Sequence, residues 1–215
     1  MKKLILASNS PRRKELLSLF GRSFNVIPAD INEDRETGEL PIDYVRRLAC
    51  EKASQIAEDQ EGLVIGADTI VVDGEELLGK PADESDARRM LQQLRGRTHQ
   101  VFTGIAIIET KTGQSFEDVC CTDVPMRTYS DVEIDAYIAT GDPMDKAGAY
   151  AIQHPGFRPV ENLSGCYASV MGLPICLLSV GLSHFGMEIP EDLPQRCQAL
   201  LDYRCPTLEC NTEQG

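Results

Sequence analysis

The sequence lacks the features that mark membrane and exported proteins. No stretch approaches the ~20 consecutive apolar residues of a membrane span. Near the start, two lysines precede only about five apolar residues before charge returns, which is too short for a secretory signal. We find no internal repeat and no low-complexity segment. We therefore expect a cytoplasmic protein with no membrane partner.

An excess of positive charge is also missing. The 215 residues contain 21 Lys and Arg against 34 Asp and Glu, a formal net charge of −13. Nucleic-acid polymers are bound mainly through many contacts from basic side chains to phosphates, so we expect no DNA or RNA partner. An anionic ligand would need a local cluster of Lys and Arg. A small nucleotide that brings its own divalent cation satisfies this requirement.

The sequence shows no arrangement typical of a zinc or other transition-metal site. Its three histidines are scattered, and its eight cysteines include no C-x-x-C pair. Most of the cysteines lie singly among apolar residues, which is typical of reduced thiols in a core. The three cysteines near the carboxyl end could alternatively bind metal or form a disulfide.

Strand and helix signals alternate over residues 1–185. Apolar runs predict strands at 4–7 and 63–72, and apolar residues at helical spacing predict a long helix over 41–59. Further strands are predicted at 24–27, 77–78, 100–108 and 116–124, and further helices at 11–20, 84–95, 131–139 and 174–185. Hairpins join some strands and helices join others, so we expect one α/β domain with a mixed sheet. Residues 186–215 are expected to form a weakly ordered tail, with one possible short helix around Leu193–Leu201.

The turn after the first strand favours an anion. Ser10 is a natural N-cap and Pro11 a natural first residue of the next helix. Free N–H groups and the positive end of the helix dipole therefore point at one place beside Ser8. Arg12 and Arg13 lie in the first turn, where cations are disfavoured. We interpret them as ligands of an anion; the alternative is two solvated arginines.

Two ionisable residues lie in apolar settings. Asp68 interrupts the most apolar strand and needs a metal, a lysine or N–H groups as a partner; alternatively, it caps a turn at the strand end. Lys52 lies one helical turn from Leu48 and Ile56, on the core side of the long helix. It either projects into a cleft to meet phosphate or snorkels to the surface.

Two weaker signals add a cation and a carboxylate. Lys80 lies between a glycine and a proline after the predicted hairpin, a tripeptide that also occurs in many surface loops. Glu33 lies in an acidic loop, which by itself indicates a solvated surface more than a metal site.

Seven segments, in this order and spacing, resemble the Maf family of nucleoside triphosphate pyrophosphatases. They are LASNSPRRKELL (6–17), RLACEKA (47–53), IGADTIVV (65–72), LGKPAD (78–83), HQVFTGIAI (99–107), DKAGAYAIQ (145–153) and VMGLP (170–174). The resemblance implies a Maf-type α/β fold, related to the inosine triphosphatase fold, with a mixed twisted sheet flanked by helices and two lobes around a cleft. It also implies a homodimer.

The implied reaction is hydrolysis of a nucleoside triphosphate to the monophosphate and pyrophosphate. The family's proton acceptor corresponds to Asp68, which with Glu33 would also bind a divalent cation, Mg²⁺ or Mn²⁺. The phosphate contacts correspond to Ser8, Arg13, Lys52 and Lys80. Such chemistry needs cations around the phosphates and a base for water.

Three residues resemble the branch of the family that prefers dTTP and UTP: Arg12, Thr69 and Gln153. The branch that acts on 7-methyl-GTP typically differs there. Gln153 offers the donor and the acceptor that a uracil or thymine edge requires, although the same amide could equally read another base. Our main hypothesis is a dTTP/UTP pyrophosphatase that also removes modified pyrimidine triphosphates. The alternatives are a nucleotide-binding regulator of septum formation with little or no hydrolysis, and a phosphomonoester site.

Overall fold

The computed structural model describes residues 2–206, and this part of the chain contains six strands and seven α-helices. The strands are β1 (Leu4–Leu6), β2 (Phe24–Val26), β3 (Leu63–Asp73), β4 (Glu76–Leu78), β5 (Thr98–Glu109) and β6 (Gln114–Pro125). The helices are α1 (Pro11–Ser18), α2 (Pro41–Ala57), α3 (Glu84–Leu94), α4 (Asp131–Ile138), α5 (Tyr167–Val170), α6 (Ile175–His184) and α7 (Leu193–Leu201). Two short 3₁₀ segments, Asp142–Asp145 and Ala147–Ala149, follow α4.

The strands form one mixed sheet in the order β2-β1-β3-β5-β6, with β4 paired to β3. β1 runs parallel to β2 and β3, whereas β3, β5 and β6 pair antiparallel. The parallel pairs are joined through helices and β5–β6 through a hairpin, as the mixed connections predicted. The predicted α/β fold with a mixed sheet is confirmed.

The strand pairing along one edge of β3 is interrupted, and the candidate site lies at this interruption. β5 covers the opposite edge of β3 along Leu63–Val72. On the interrupted edge, β1 pairs with residues 63–65 and β4 with residues 71–73. Among the described residues, no strand pairs with 66–70 on this edge. Asp68 and Thr69 lie in this gap, next to the turn where β1 ends.

Helix α2 crosses the sheet in close contact with two glycines. A Cβ at Gly66 would lie 2.1 Å from the carbonyl oxygen of Ala49, and a Cβ at Gly104 would lie 2.5 Å from that of Val45. Gly104 pairs directly with Asp68 across β3 and β5. The helix therefore passes beside Asp68, whereas the larger apolar core, including α1 and α6, packs on the opposite face of the sheet.

The chain after residue 185 forms a helix that packs on the core. Leu193 of α7 is buried in the main apolar cluster. The Tyr203 hydroxyl donates towards the carbonyl oxygens of Leu163 and Gly165, at 3.1 and 2.9 Å, and accepts from the Gly165 N–H. Residues 186–206 thus have more tertiary contacts than the sequence suggests. The boundary at residue 185 stays a prediction, and the rest of the expected tail lies outside the described residues.

The expectation that most cysteines are core thiols is wrong, because the cysteines of the described residues lie at the margin of the core or on the surface. Cys50, Cys120, Cys166 and Cys197 are half-buried, and Cys121 and Cys176 are exposed. Cys50, Cys166 and Cys197 pack against the margins of the apolar clusters, and no cysteine among the described residues is fully buried. Cys210 lies outside the described residues.

Candidate active site

A cavity of about 670 Å³ opens at the gap in β3; we call it the central pocket. All nine residues predicted from the sequence to form the site line it: Ser8, Arg12, Arg13, Glu33, Lys52, Asp68, Thr69, Lys80 and Gln153. They come from β3, from the turns and helices that flank it, and from the segment after the 3₁₀ turns. The volume is in the range of pockets that enclose small molecules.

Arg13 is fixed at the start of α1 by hydrogen bonds to three acceptors. Its Nη1 donates to Ser8 Oγ at 3.2 Å, its Nη2 to Thr69 Oγ1 at 3.2 Å, and its Nε to the carbonyl oxygen of Gly172 at 2.9 Å. The backbone N–H of Arg13 donates to Ser10, the predicted N-cap. Burial lowers the pKa of Arg13, although the charge of Asp68 opposes this shift. Two of its five guanidinium N–H donors have no partner within residues 2–206 and remain for a ligand.

Lys52 lies between two carboxylates. Its Nζ is 2.6 Å from Asp68 Oδ1 and 2.6 Å from Glu33 Oε1. The side chains of Lys52 and Asp68 are each only 10% exposed, whereas that of Glu33 is 54% exposed. The buried carboxylate in the apolar strand therefore has a lysine partner, one of the three kinds that the sequence left open.

The two carboxylates differ in their pKa. Burial raises the pKa of Asp68 above its ordinary value, although the charges of Lys52 and Arg13 oppose the shift. The pKa of Glu33 is lowered: its partial burial acts upward, but the hydrogen bond and charge of Lys52 outweigh it. The two pKa values thus shift in opposite directions, and the upward shift of Asp68 suits a proton acceptor.

Arg12 and Lys80 line the central pocket without direct contact to a carboxylate of the described residues. Neither side chain has a hydrogen bond or an ion pair in residues 2–206. Five cationic and three carboxylate side chains line the pocket, although the whole chain is strongly acidic. The pocket therefore concentrates positive charge, which favours a polyanionic ligand.

Tyr44 and Lys146 are among the polar residues of the pocket that were not predicted from the sequence. Tyr44 of α2 donates its hydroxyl to the carbonyl oxygen of Glu33 at 2.5 Å and thereby fixes the acidic loop. Lys146 is buried and lies beside Asp142 and Asp145. Lys146 falls inside the segment DKAGAYAIQ, which was available as a signal, but Tyr44 carries no sequence signal of its own.

The sequence is similar to known proteins over most of its length. Residues 3–185 match the family described as Maf-like protein. A protein of Dictyoglomus thermophilum named dTTP/UTP pyrophosphatase is 46% identical over 191 residues, covering 87% of this chain and 98% of that protein. A protein of the same name from Desulforamulus reducens is 45% identical over 190 residues, covering 88% of this chain and all of that protein (100%).

Likeness to solved structures is more distant. A Mycobacterium abscessus structure described as nucleoside-triphosphatase / dITP/XTP pyrophosphatase is 15% identical, with a TM-score of 0.46 over 99% of this chain and 100% of that chain. This likeness is too weak to bear on the assignment, which rests on the sequence matches. Within residues 2–206, no helix is long and apolar enough to span a membrane. On the match over residues 3–185 and the relatives at 45–46% identity, the chain belongs to the Maf family.

Proposed function

We propose that this protein is a nucleoside triphosphate pyrophosphatase that hydrolyses dTTP and UTP, and modified pyrimidine triphosphates, to the monophosphate and pyrophosphate. One observation carries the proposal: the buried carboxylate of Asp68 shares one pocket with Arg12 and Lys80, two cations that form no ion pair or hydrogen bond within residues 2–206. The names of the relatives supply the substrate class.

The pocket supplies the groups that the reaction needs. Water attacks the α-phosphorus and forms a new P–O bond, its proton passes to Asp68, and the bond from the α-phosphorus to the bridging oxygen breaks, so that pyrophosphate leaves with that oxygen. Arg13 and Ser8, together with Lys52 and Lys80, would contact the phosphates and neutralise their charge. Catalysis of this kind depends mainly on positioning and charge stabilisation.

Glu33 and Asp68 fit a divalent cation. Both present hard carboxylate oxygens of the kind that Mg²⁺ and Mn²⁺ prefer, and one oxygen of each lies 2.6 Å from the Lys52 ammonium. Within residues 2–206, no group of three or more His, Cys, Asp or Glu could hold a metal ion. Mg²⁺ or Mn²⁺ would therefore need phosphate oxygens and water as further ligands. When bound, the ion would neutralise phosphate charge.

The remaining expectations form part of the proposal. Arg12, Thr69 and Gln153 would determine base preference, with Gln153 offering a donor and an acceptor to the base edge. We further propose a homodimer in the cytoplasm, which size-exclusion chromatography with light scattering would test for its oligomeric state. A regulator of septum formation that only binds nucleotides is the competing function, and it does not require Asp68 as a base.

A panel of nucleoside triphosphates with Mg²⁺ or Mn²⁺, assayed for pyrophosphate and orthophosphate, tests the proposal. We expect pyrophosphate from dTTP and UTP. Asp68→Asn should lower turnover by ~10²–10⁴-fold while nucleotide binding survives. Asp73→Asn is the matched control, because Asp73 is also a buried aspartate of β3 but pairs with Arg97 outside the pocket. Stepwise orthophosphate release, or full turnover by Asp68→Asn, would contradict the proposal.

A further inference from the structure

Gln153, which we assign to base recognition, lies on a segment without regular structure. Residues 150–157 contain no helix or strand, and Gln153 is exposed. A side chain on such a segment is accurately placed only when other groups fix the backbone that carries it. Helix α4 supplies those groups.

Tyr137 of α4 contacts the segment on both sides of Gln153. Its hydroxyl accepts a hydrogen bond from the backbone N–H of Ala151 at 2.9 Å. The ring of His154 meets the Tyr137 ring edge-on at 4.8 Å, and the ring of Phe157 stacks on it at 4.3 Å. Tyr137 therefore restrains the segment through the backbone of Ala151, two residues before Gln153, and through the side-chain rings of His154 and Phe157 after it.

Asp142 fixes the direction of the Tyr137 hydroxyl. The hydroxyl donates its one hydrogen to Asp142 Oδ2 at 2.7 Å, which leaves its lone pairs for the Ala151 N–H. Burial and the neighbouring carboxylate raise the pKa of Tyr137, so the hydroxyl keeps this hydrogen at neutral pH.

Lys146 holds the other oxygen of the same carboxylate. Its Nζ donates to Asp142 Oδ1 at 2.9 Å, to the Asp142 carbonyl oxygen at 2.5 Å and to Asp145 Oδ1 at 2.7 Å. An ammonium group has three N–H donors, and all three are used inside the protein. Although Lys146 lines the central pocket, it has no donor left for a phosphate. Its contacts instead anchor Asp142.

We propose that Tyr137 is a positioning residue for base recognition. Asp142 orients its hydroxyl, and Lys146 in turn holds the Asp142 carboxylate. The inference rests on the proposed function, because it takes Gln153 as the residue that contacts the base. Tyr137 acts through the Ala151 backbone. Loss of its hydroxyl should therefore reduce discrimination between bases more than it reduces the maximal rate.

The test is the ratio of kcat/KM for UTP to kcat/KM for CTP in Tyr137→Phe. Cytosine presents an amino donor where uracil presents a carbonyl acceptor, so this pair reports directly on hydrogen bonding to the base. The substitution removes only the hydroxyl and keeps the ring contacts. We expect the ratio to fall about three- to tenfold, the size of one hydrogen bond, with kcat for UTP changed by less than about twofold.

Tyr129→Phe is the matched control. Its ring also contacts Phe157, at 4.8 Å, but its hydroxyl donates to the carbonyl oxygen of Leu91 in α3, at 2.7 Å. This variant loses a buried hydroxyl of the same kind, without a contact to the Ala151 backbone. The UTP to CTP ratio should stay at the wild-type value.

A double-variant cycle shows whether Tyr137 acts through Gln153. Gln153→Ala should lower the ratio, and Tyr137→Phe should lower it no further in that background. Additive losses in the double variant, or a wild-type ratio in Tyr137→Phe, would overturn the inference about Tyr137 and leave the proposed function standing. If Tyr137→Phe does not fold, Asp142→Ala replaces it, since that side chain is 32% exposed, and the same fall is expected. Absence of pyrophosphate release by the wild-type protein would overturn the proposed function first, and this inference with it.

Discussion

Gly66→Ala tests whether the close contact between α2 and β3 sets the position of Lys52. The added methyl would lie 2.1 Å from the carbonyl oxygen of Ala49 and 2.8 Å from the backbone nitrogen of Ala53. Both atoms belong to the backbone of α2, so no rotation of a side chain relieves the overlap. The helix has to move by roughly 1 Å before these contacts approach ordinary separations.

The structure gives the size of two separate effects. Overpacking of this kind costs about 1–3 kcal/mol of folding free energy, and contact with backbone places Gly66→Ala in the upper half of that range. Lys52 Nζ lies 2.6 Å from Asp68 Oδ1. A shift of about 1 Å takes this contact past hydrogen-bond distance, and a misplacement of that size in an active site costs ~10²-fold in rate.

Urea unfolding and pyrophosphate release from UTP measure the two effects. Gly156→Ala is the control, because its nearest atoms would be 3.4 and 3.8 Å from the new methyl and its backbone φ is not positive. We expect the control to stay within about 0.5 kcal/mol of the wild type. Equal stability and equal rate in Gly66→Ala and the control would refute the argument that α2 is seated tightly against β3.

Two further predictions concern stability. Burial raises the pKa of Asp68, so the folded state favours the protonated carboxyl group; the resulting stability is fully present below the unfolded pKa and is lost as pH rises through the folded pKa. The free energy of unfolding of Asp68→Asn should therefore rise relative to that of the wild type as pH rises from about 4 towards neutrality, by about 1.4 kcal/mol for each unit by which the pKa is raised. Urea unfolding midpoints measured at a series of pH values test this. A difference between variant and wild type that stays constant or shrinks would contradict the prediction. Leu193→Ala should lower the free energy of unfolding by about 2 kcal/mol or more, because Leu193 is only 3% exposed. Leu200→Ala on the same helix should lower it by less than about 0.5 kcal/mol, because Leu200 is 38% exposed. Equal unfolding midpoints for the two variants would show that α7 does not stabilise the core.

The helices and strands followed from local signals wherever those signals were strong. The helix that begins at Pro11 has the predicted N-cap, and Ser10 accepts the Arg13 N–H. The long helix begins at the predicted Pro41, and the apolar run at 63–72 forms the central strand. In each case turn chemistry and apolar periodicity agree, so no tertiary contact is needed to decide the element.

The elements that local sequence signals could not predict are stabilised by contacts between residues that are far apart in the sequence. Helix α5 has only four residues, and its backbone contacts β5 through the Ser169 carbonyl oxygen, which accepts from Thr103. The 3₁₀ segments and the loop of Gln153 depend on Tyr137 and Asp142, whose partners are set by the fold. Apolar periodicity cannot report such contacts, because they join side chains and backbone atoms of irregular segments.

The same reasoning explains why the site was only partly predictable. A carboxylate in an apolar strand and an ammonium on the core side of a helix each require a partner, and this requirement singled out Asp68 and Lys52 separately. The structure shows that each is the other's partner, although they lie 16 residues apart on different elements. Burial cost thus predicts that a partner exists, whereas its identity depends on the seating of α2 against Gly66 and Gly104. The pairing of Lys52 with Asp68 is therefore encoded partly in two glycines that carry no functional group.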